Sequence, residues 1–213
     1  AKKHFENIKN KAKLPKFHQI EQAQNGQKKI IINHNESAVD ILAIAFKIPP
    51  FNHPDMVALN ALSEYLSGGK SSILEKKLVN EKQLVNSINT FAMGLKDAGL
   101  FIFIAVCNPN ISAKTVLKEL NKIIKSSKNE LVDESELEKI KNSLKMSLAY
   151  SMLSTSSVAS ILGDYIANGD IAPLYELESK TANLSAQKLK KVAKKYFKKA
   201  QKSTIILKAK NEK

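Results

Sequence analysis

Residues 58–90, ALNALSEYLSGGKSSILEKKLVNEKQLVNSINT, decide how the chain is read. The stretch opens in a helix: Val57, Ala61 and Tyr65 fall on one side, and Ala58, Leu62 and Leu66 fill the adjacent stripe. Gly68-Gly69 stops that helix, because glycine takes left-handed backbone angles freely and commonly sits just past a helix end. Ser71 or Ser72 is placed to cap a second, short helix, SSILEKKLVN, with Glu75 positioned to close a capping box on Ser72. From Leu84 to Phe91 the period changes to two: Leu84, Asn86, Ile88 and Thr90 alternate with Val85, Ser87, Asn89 and Phe91, which predicts a strand. A strand held beside helices in this way can take a partner along its edge.

Upstream, KKIIINH and SAVDILAIAFKI are two β-rich runs divided by a turn-forming cluster from Asn33 to Ser37. Pro49-Pro50 ends the second run, and Pro54-Asp55 opens the helix, with the acidic group favoured there by the helix dipole. Downstream, Lys96-Asp97-Ala98-Gly99 is a turn between SINTFAMGL and LFIFIAVCN; the latter is apolar on both faces, which predicts a central strand covered on at least one side. Ser112 caps a helix that buries Val116, Leu120, Ile123 and Ile124. Asp133 to Glu136 begin a long helical region whose inward stripe runs from Leu137 through Ile140, Leu144, Leu148 and Met152 to Ile166, with a bend expected near Ser154 to Ser157. Pro173 starts a short helix, Ser185 caps another (LKKVAKKYF), and STIILKA is the last strand. The order ββααββααααβ predicts an α+β fold: an antiparallel-rich sheet with helices packed mainly on one face. Residues 1–27 read as a connector and 28–210 as a single domain.

The bulk properties exclude several classes. At 213 residues with 43% hydrophobic content the chain can bury a substantial core. No apolar run approaches the ~20 residues needed to span a bilayer, and the opening AKKHFENIKN has no apolar region of the kind a signal peptide carries. The single cysteine, Cys107, excludes an internal disulfide and lies in the apolar run LFIFIAVC, as a buried and inert thiol would. The net charge of +14 suggests nucleic acid, but all 34 basic residues are lysines dispersed along the chain, whereas base readout and bidentate phosphate binding favour arginine. Solvated helix faces explain the lysines better, and no nucleic-acid partner is expected.

Catalytic motifs are absent. The histidines are His4, His18, His34 and His53; none has another histidine four residues away, so none belongs to an H-x-x-E-H or H-E-x-x-H pair. His53, before Pro54, reads as structural. No G-x-S-x-G elbow occurs, and GGKSS lacks the leading glycine of a phosphate-binding loop. No catalytic residue and no metal ligand is assigned.

The run ALNALSEYLSGGKSSILEKKLVNEKQLVNSI, with AFKIPPFNHPDMVALN before it and KDAGLFIFIAV, DESELEKIKNSL and LKKVAKKYF after it, resembles the second homologous half of pitrilysin/insulinase-type zinc peptidases. The similarity points to the branch that includes the mitochondrial processing peptidase and small bacterial relatives, and it extends over roughly residues 30–207. The resemblance implies a catalytically silent C-terminal half of a zinc metalloendopeptidase. Zinc and the catalytic glutamate would lie in an N-terminal half of the same polypeptide or in a homologous subunit, the two halves enclosing a chamber for unfolded peptide. Many members carry an Arg in the short helix and a Tyr seven positions on, both touching substrate; here those places fall at Val79 and Asn86, and neither matches. The alternative is a non-catalytic structural or interaction subunit of the same fold, as in the core subunits of a respiratory complex. The expected compartment is the bacterial cytoplasm or periplasm.

Overall fold

Strand β2 (Ile41–Ile48) alternates half-buried and fully buried residues along its whole length, as a strand with one covered face must. It lies in the middle of a five-stranded sheet in the computed structural model, which describes residues 2–7, 22, 24–33 and 37–209. A single helical turn, α1 (Lys2–Phe5), precedes the strand β1 (Lys28–Asn33). After β2 come helix α2 (Met56–Ser67), a short π-helical segment (Glu75–Glu81), and the hairpin of β3 (Val85–Gly94) and β4 (Gly99–Cys107). Five helices follow: α3 (Ala113–Asn129), α4 (Glu134–Ser151), α5 (Thr155–Asn168), α6 (Ala172–Ala182) and α7 (Ala186–Tyr196). The chain then returns as β5 (Lys202–Lys208).

The strand order is β1-β5-β2-β4-β3. Three of the four pairings are antiparallel and only β1 with β5 is parallel. The α+β fold and the antiparallel-rich sheet are as the sequence predicts. So is β4, which is flanked by β2 and β3 and buries Phe101, Phe103, Ala105 and Cys107 on one face. Phe197, just past α7, seats its ring among Phe46, Phe101 and Phe103 with centroids 4.9–5.7 Å away, joining the helix layer to the sheet.

Helix α2 packs on this face through Ala58, Leu59, Ala61, Leu62 and Leu66, while Val57 and Tyr65 are partly buried beside them. Asp40, just before β2, ties three elements together. Its carboxylate accepts the backbone N–H of Ala113 at the start of α3 and of Ala209 after β5, both at 2.9 Å, and its carbonyl accepts Cys107 N–H at 2.9 Å. Such a short acidic residue in a loop gives no periodic signal, and the sequence reading missed it.

Several local expectations hold. Ser112 and Ser185 cap α3 and α7 by accepting the N–H of Thr115 and Lys188; Ser154, expected only as part of a bend, also caps α5 by accepting the N–H of Ser157. The predicted bend is a true break, with α4 ending at Ser151 and α5 starting at Thr155. The Gly94 to Gly99 connection is a tight turn closed by Leu95 N–H on Ala98 O at 3.2 Å.

Others are corrected. Ser72 does not cap the short helix: its hydroxyl is buried and finds no hydrogen-bond partner among the described residues, and no side chain caps the Glu75–Glu81 segment. Chain packing fixes this turn, since Ser72 N–H bonds Gly69 O and Ser72 O accepts Lys76 N–H. Asp133 precedes α4 without a side-chain cap bond. The inward stripe stops early: Leu137 and Ile140 are buried and Leu144 is partly so, but α5 buries no residue and Met152 and Ile166 are exposed. Helix α4 packs on α2 and α6, and α5 packs on α4, so this stripe meets other helices and not the sheet. The expected turn from Asn33 to Ser37 and most of the connector 1–27 lie outside the described residues.

Candidate functional site

The register places alternate residues of every strand on the face opposite the helices. One row across that face reads Ile30, Ile205, Ala43, Ile104 and Asn89. Their in-line neighbours Ile206, Leu42, Ala105 and Ile88 point the other way and are buried under the helices. The outer face is apolar yet open, with Ile30, Ile32, Phe91, Met93, Ile104 and Ile205 all exposed. An uncovered apolar sheet face of this kind marks an interaction surface.

Strand β3 forms one border of this face. Its outer edge is partly closed: Ser67 Oγ accepts Thr90 N–H at 2.9 Å, and Ser63 Oγ donates to Thr90 O at 2.9 Å. Both main-chain groups of Thr90 are therefore taken by α2. The expectation that this strand recruits a partner along its edge fails at that position, because a second strand needs those groups free. The helical serines at Ser63 and Ser67, one turn apart, are the signal that sequence reasoning overlooked.

Asn86 sits at the irregularity in the β3–β4 ladder between Val85 and Ser87, and it is exposed. A bulge re-aims a side chain relative to its neighbours. Val79, in the π-helical segment, is half-buried and packs against the hydrophobic core. The two positions lie on successive elements, with Val79 turned to the core and Asn86 to solvent.

The most polar cluster lies at the start of α2. Asp55 is only 6% exposed. Its carboxylate accepts from Lys188 Nζ at 2.5 Å, Lys195 Nζ at 2.7 Å and Tyr196 OH at 2.8 Å. Burial alone would raise its pKa, but these three donors outweigh that and hold it well below the usual carboxylate range. The sequence placed Asp55 at a helix start, and Leu59 N–H does bond Asp55 O at 2.9 Å; the side chain, however, serves α7 and makes no cap bond.

His53 Nδ1 accepts Asp55 N–H at 3.0 Å, which fixes the ring as a structural acceptor. Burial lowers its pKa, with Lys195 and Lys188 adding to the effect and Asp55 opposing it. A cavity of about 310 Å³ opens beside His53, bordered by Asn60, Asp164 and Lys180. It contains no nucleophile paired with a base.

The residues do not fit zinc. Among the described residues no three His, Cys, Asp or Glu side chains converge as a metal site would require. His53 has one ring nitrogen committed, and burial, with Asp40 nearby, pushes the Cys107 thiol up to about 11. His18 and His34 lie outside the described residues. Among those residues no helix is long and apolar enough to cross a membrane.

Comparison with known proteins agrees with this geometry. Residues 1–144 match the family described as the peptidase M16 inactive domain. The chain is 34% identical over 210 residues to the zinc protease PqqE of Helicobacter pylori, covering 98% of this chain and 47% of that protein. It is 30% identical over 170 residues to a probable mitochondrial-processing peptidase subunit beta of Arabidopsis thaliana, covering 73% of this chain and 30% of that one. The chain thus spans less than half the length of either relative. The crystal structure of a protease from Helicobacter pylori superposes with a TM-score of 0.93 at 34% identity, over 97% of this chain and 51% of that one. The peptidase M16 inactive domain from Pseudomonas fluorescens shares the fold, with a TM-score of 0.79 at 16% identity over 92% of this chain and 47% of its own. The chain, an α+β domain with no convergent metal ligands among the described residues, belongs to the family of peptidase M16 inactive domains.

Proposed function

We propose that this domain is the non-catalytic half of a two-half zinc peptidase and forms one wall of the chamber in which unfolded peptide lies. The partner is an N-terminal half of the same polypeptide or a homologous subunit, and it carries the zinc and the catalytic glutamate. One observation carries the reading: a five-stranded sheet keeps an apolar face open while helices α2, α3 and α7 pack on the other side. A free-standing domain gains nothing from such a face, whereas a chamber wall uses it. The relatives named as zinc proteases supply the second half of the argument. Within this reading residues 1–27 connect to the preceding half and 28–210 form the domain. Asn86, exposed at its bulge, is the polar contact to peptide, and Val79, turned to the core, contributes shape only. The bacterial cytoplasm or periplasm is the compartment in which the assembly would work.

The test combines metal analysis with cleavage of a fluorogenic peptide. The dialysed domain alone is expected to hold no stoichiometric zinc and to cleave nothing. A zinc-bearing half assayed without this domain is expected to lose about a hundredfold or more in kcat/KM, because a wall that positions substrate contributes at that scale. A zinc-bearing half that is fully active alone would overturn the reading, as would one tightly held zinc on the isolated domain.

A further inference from the structure

The open face of the sheet has a chemical bias as well as a shape. Most of its exposed positions are apolar, namely Ile30, Ile32, Phe91, Met93, Ile104 and Ile205, with Asn89 an exposed polar residue among them. The register adds Ala43, Ala45, Ile102 and Val106 between them. No row across this face contains an aspartate or a glutamate. Among the described residues the charged groups on it are Lys28 on the outer strand and Lys47 at the end of β2, whose ammonium donates to Gln22 O at 2.8 Å. The chain as a whole carries a net charge of +14.

A peptide lying on this face meets apolar side chains and positive potential. A lysine or arginine side chain brought against it loses hydration and finds no carboxylate to replace the lost water. It also approaches against the field of the domain, which lowers the encounter rate. Aliphatic and aromatic side chains bury surface there without such a cost. Carboxylates on the peptide are drawn toward Lys28 at the border and by the positive charge of the chain as a whole.

We infer that this wall selects peptide segments rich in aliphatic and aromatic residues and poor in lysine and arginine, with acidic residues accepted at the flanks. The inference rests on the chamber-wall reading above and adds the class of substrate. Selectivity of this kind comes from a repulsive element as much as from an attractive one.

The experiment uses the assembled protein, this domain together with its zinc-bearing half. Three quenched fluorogenic peptides of equal length serve as probes: one apolar and neutral, one apolar with acidic flanks, one rich in lysine. The first two are expected to be cleaved with kcat/KM about tenfold or more above the third. Two variants then move the charge of the wall, Asn89→Glu and Ile104→Glu, both at exposed positions in one row. Each is expected to narrow the gap by about fivefold, mainly through KM, and more strongly at low salt than at high salt. Asn89→Glu replaces one solvent-facing polar residue by another, so it tests the idea even if Ile104→Glu impairs folding. Equal cleavage of all three peptides, or an unchanged gap in Asn89→Glu, overturns the inference while the chamber reading stands. Failure of the assembled protein to cleave any of them overturns the chamber reading, and the inference with it.

Discussion

Asp55 and Tyr196 are 141 residues apart in sequence, yet the Tyr196 hydroxyl donates to Asp55 Oδ2 at 2.8 Å. With Lys188 and Lys195 on the same carboxylate, this contact pins the last helix to the first long one. Removing the charge leaves two lysines and a phenol without their acceptor. The lysine side chains are 38% and 50% exposed and can return to water, which limits the loss.

Asp55→Asn is therefore expected to cost about 1–3 kcal/mol at pH 7, with a Tm lower by roughly 3–9 °C. The pH dependence has a definite sign. A carboxyl whose pKa is depressed on folding contributes stability above its unfolded value, near 4, and that contribution is lost as pH falls through the folded value. Denaturant titrations of both proteins should show the full gap at neutral pH and a shrinking gap below about pH 4. A gap that grows in acid would show that the network is not what Asp55 contributes.

The double glycine divides its work between two mechanisms. Gly69 has φ +92°, a region that branched side chains avoid. Gly68 has ordinary φ, but a Cβ there would stand 2.5 Å from the carbonyl oxygen of Glu64. Gly68→Val and Gly69→Val should each destabilise by about 1–3 kcal/mol. Gly69→Asn should cost less, since asparagine tolerates left-handed angles. Thermal melts of the three variants decide the matter; equal melting points for Gly69→Val and Gly69→Asn would refute the backbone argument.

Ser72 offers a contrast with its neighbours. A capping serine replaced by alanine costs about 1 kcal/mol. A buried hydroxyl with no partner among the described residues already bears a desolvation cost, so its removal should be neutral or stabilising by up to about 1 kcal/mol. Chemical denaturation of Ser72→Ala separates the two; a loss of 1 kcal/mol or more would restore the cap.

Asn86→Ala, measured in the assembled two-half protein, is expected to lower kcat/KM by about tenfold. A single amide hydrogen bond to peptide contributes on the order of 1 kcal/mol. Steady-state kinetics on a fluorogenic peptide would show it. A thousandfold loss would make Asn86 a catalytic partner, and no change would leave the bulge without a part in binding.

Periodicity made most of the fold legible. The alternation of β2, the apolar run of β4 and the helix stripe of Ala58, Leu62 and Leu66 each have a period that only one element satisfies. Serine caps at Ser112 and Ser185 are equally local. What stayed hidden depends on distant partners. Asp55 reads as a helix-start acid until α7 is brought against it, and Asp40 has no pattern until α3 and β5 arrive at its carboxylate. The stripe from Leu148 to Ile166 has helical spacing but no sheet beneath it, and spacing alone does not reveal that. Of the candidate site, the position of Asn86 was readable, while its bulge and the closing of the strand edge by Ser63 and Ser67 were not.

Strand β5, residues 202–208, lies between β1 and β2, so the sheet's middle joint is the part of it synthesised last. While the ribosome is still short of Lys202, β1 has no neighbour to pair with, and the edge of β2 that will receive β5 is open. The sheet cannot close until residues 202–208 have left the ribosome; it then closes in one long-range step. Nascent chains stalled with Ala200 outside the exit tunnel should remain sensitive to protease, and chains extended past Lys208 should become resistant. Resistance already present at Ala200 would mean that β2, β3 and β4 form a stable unit without their last strand.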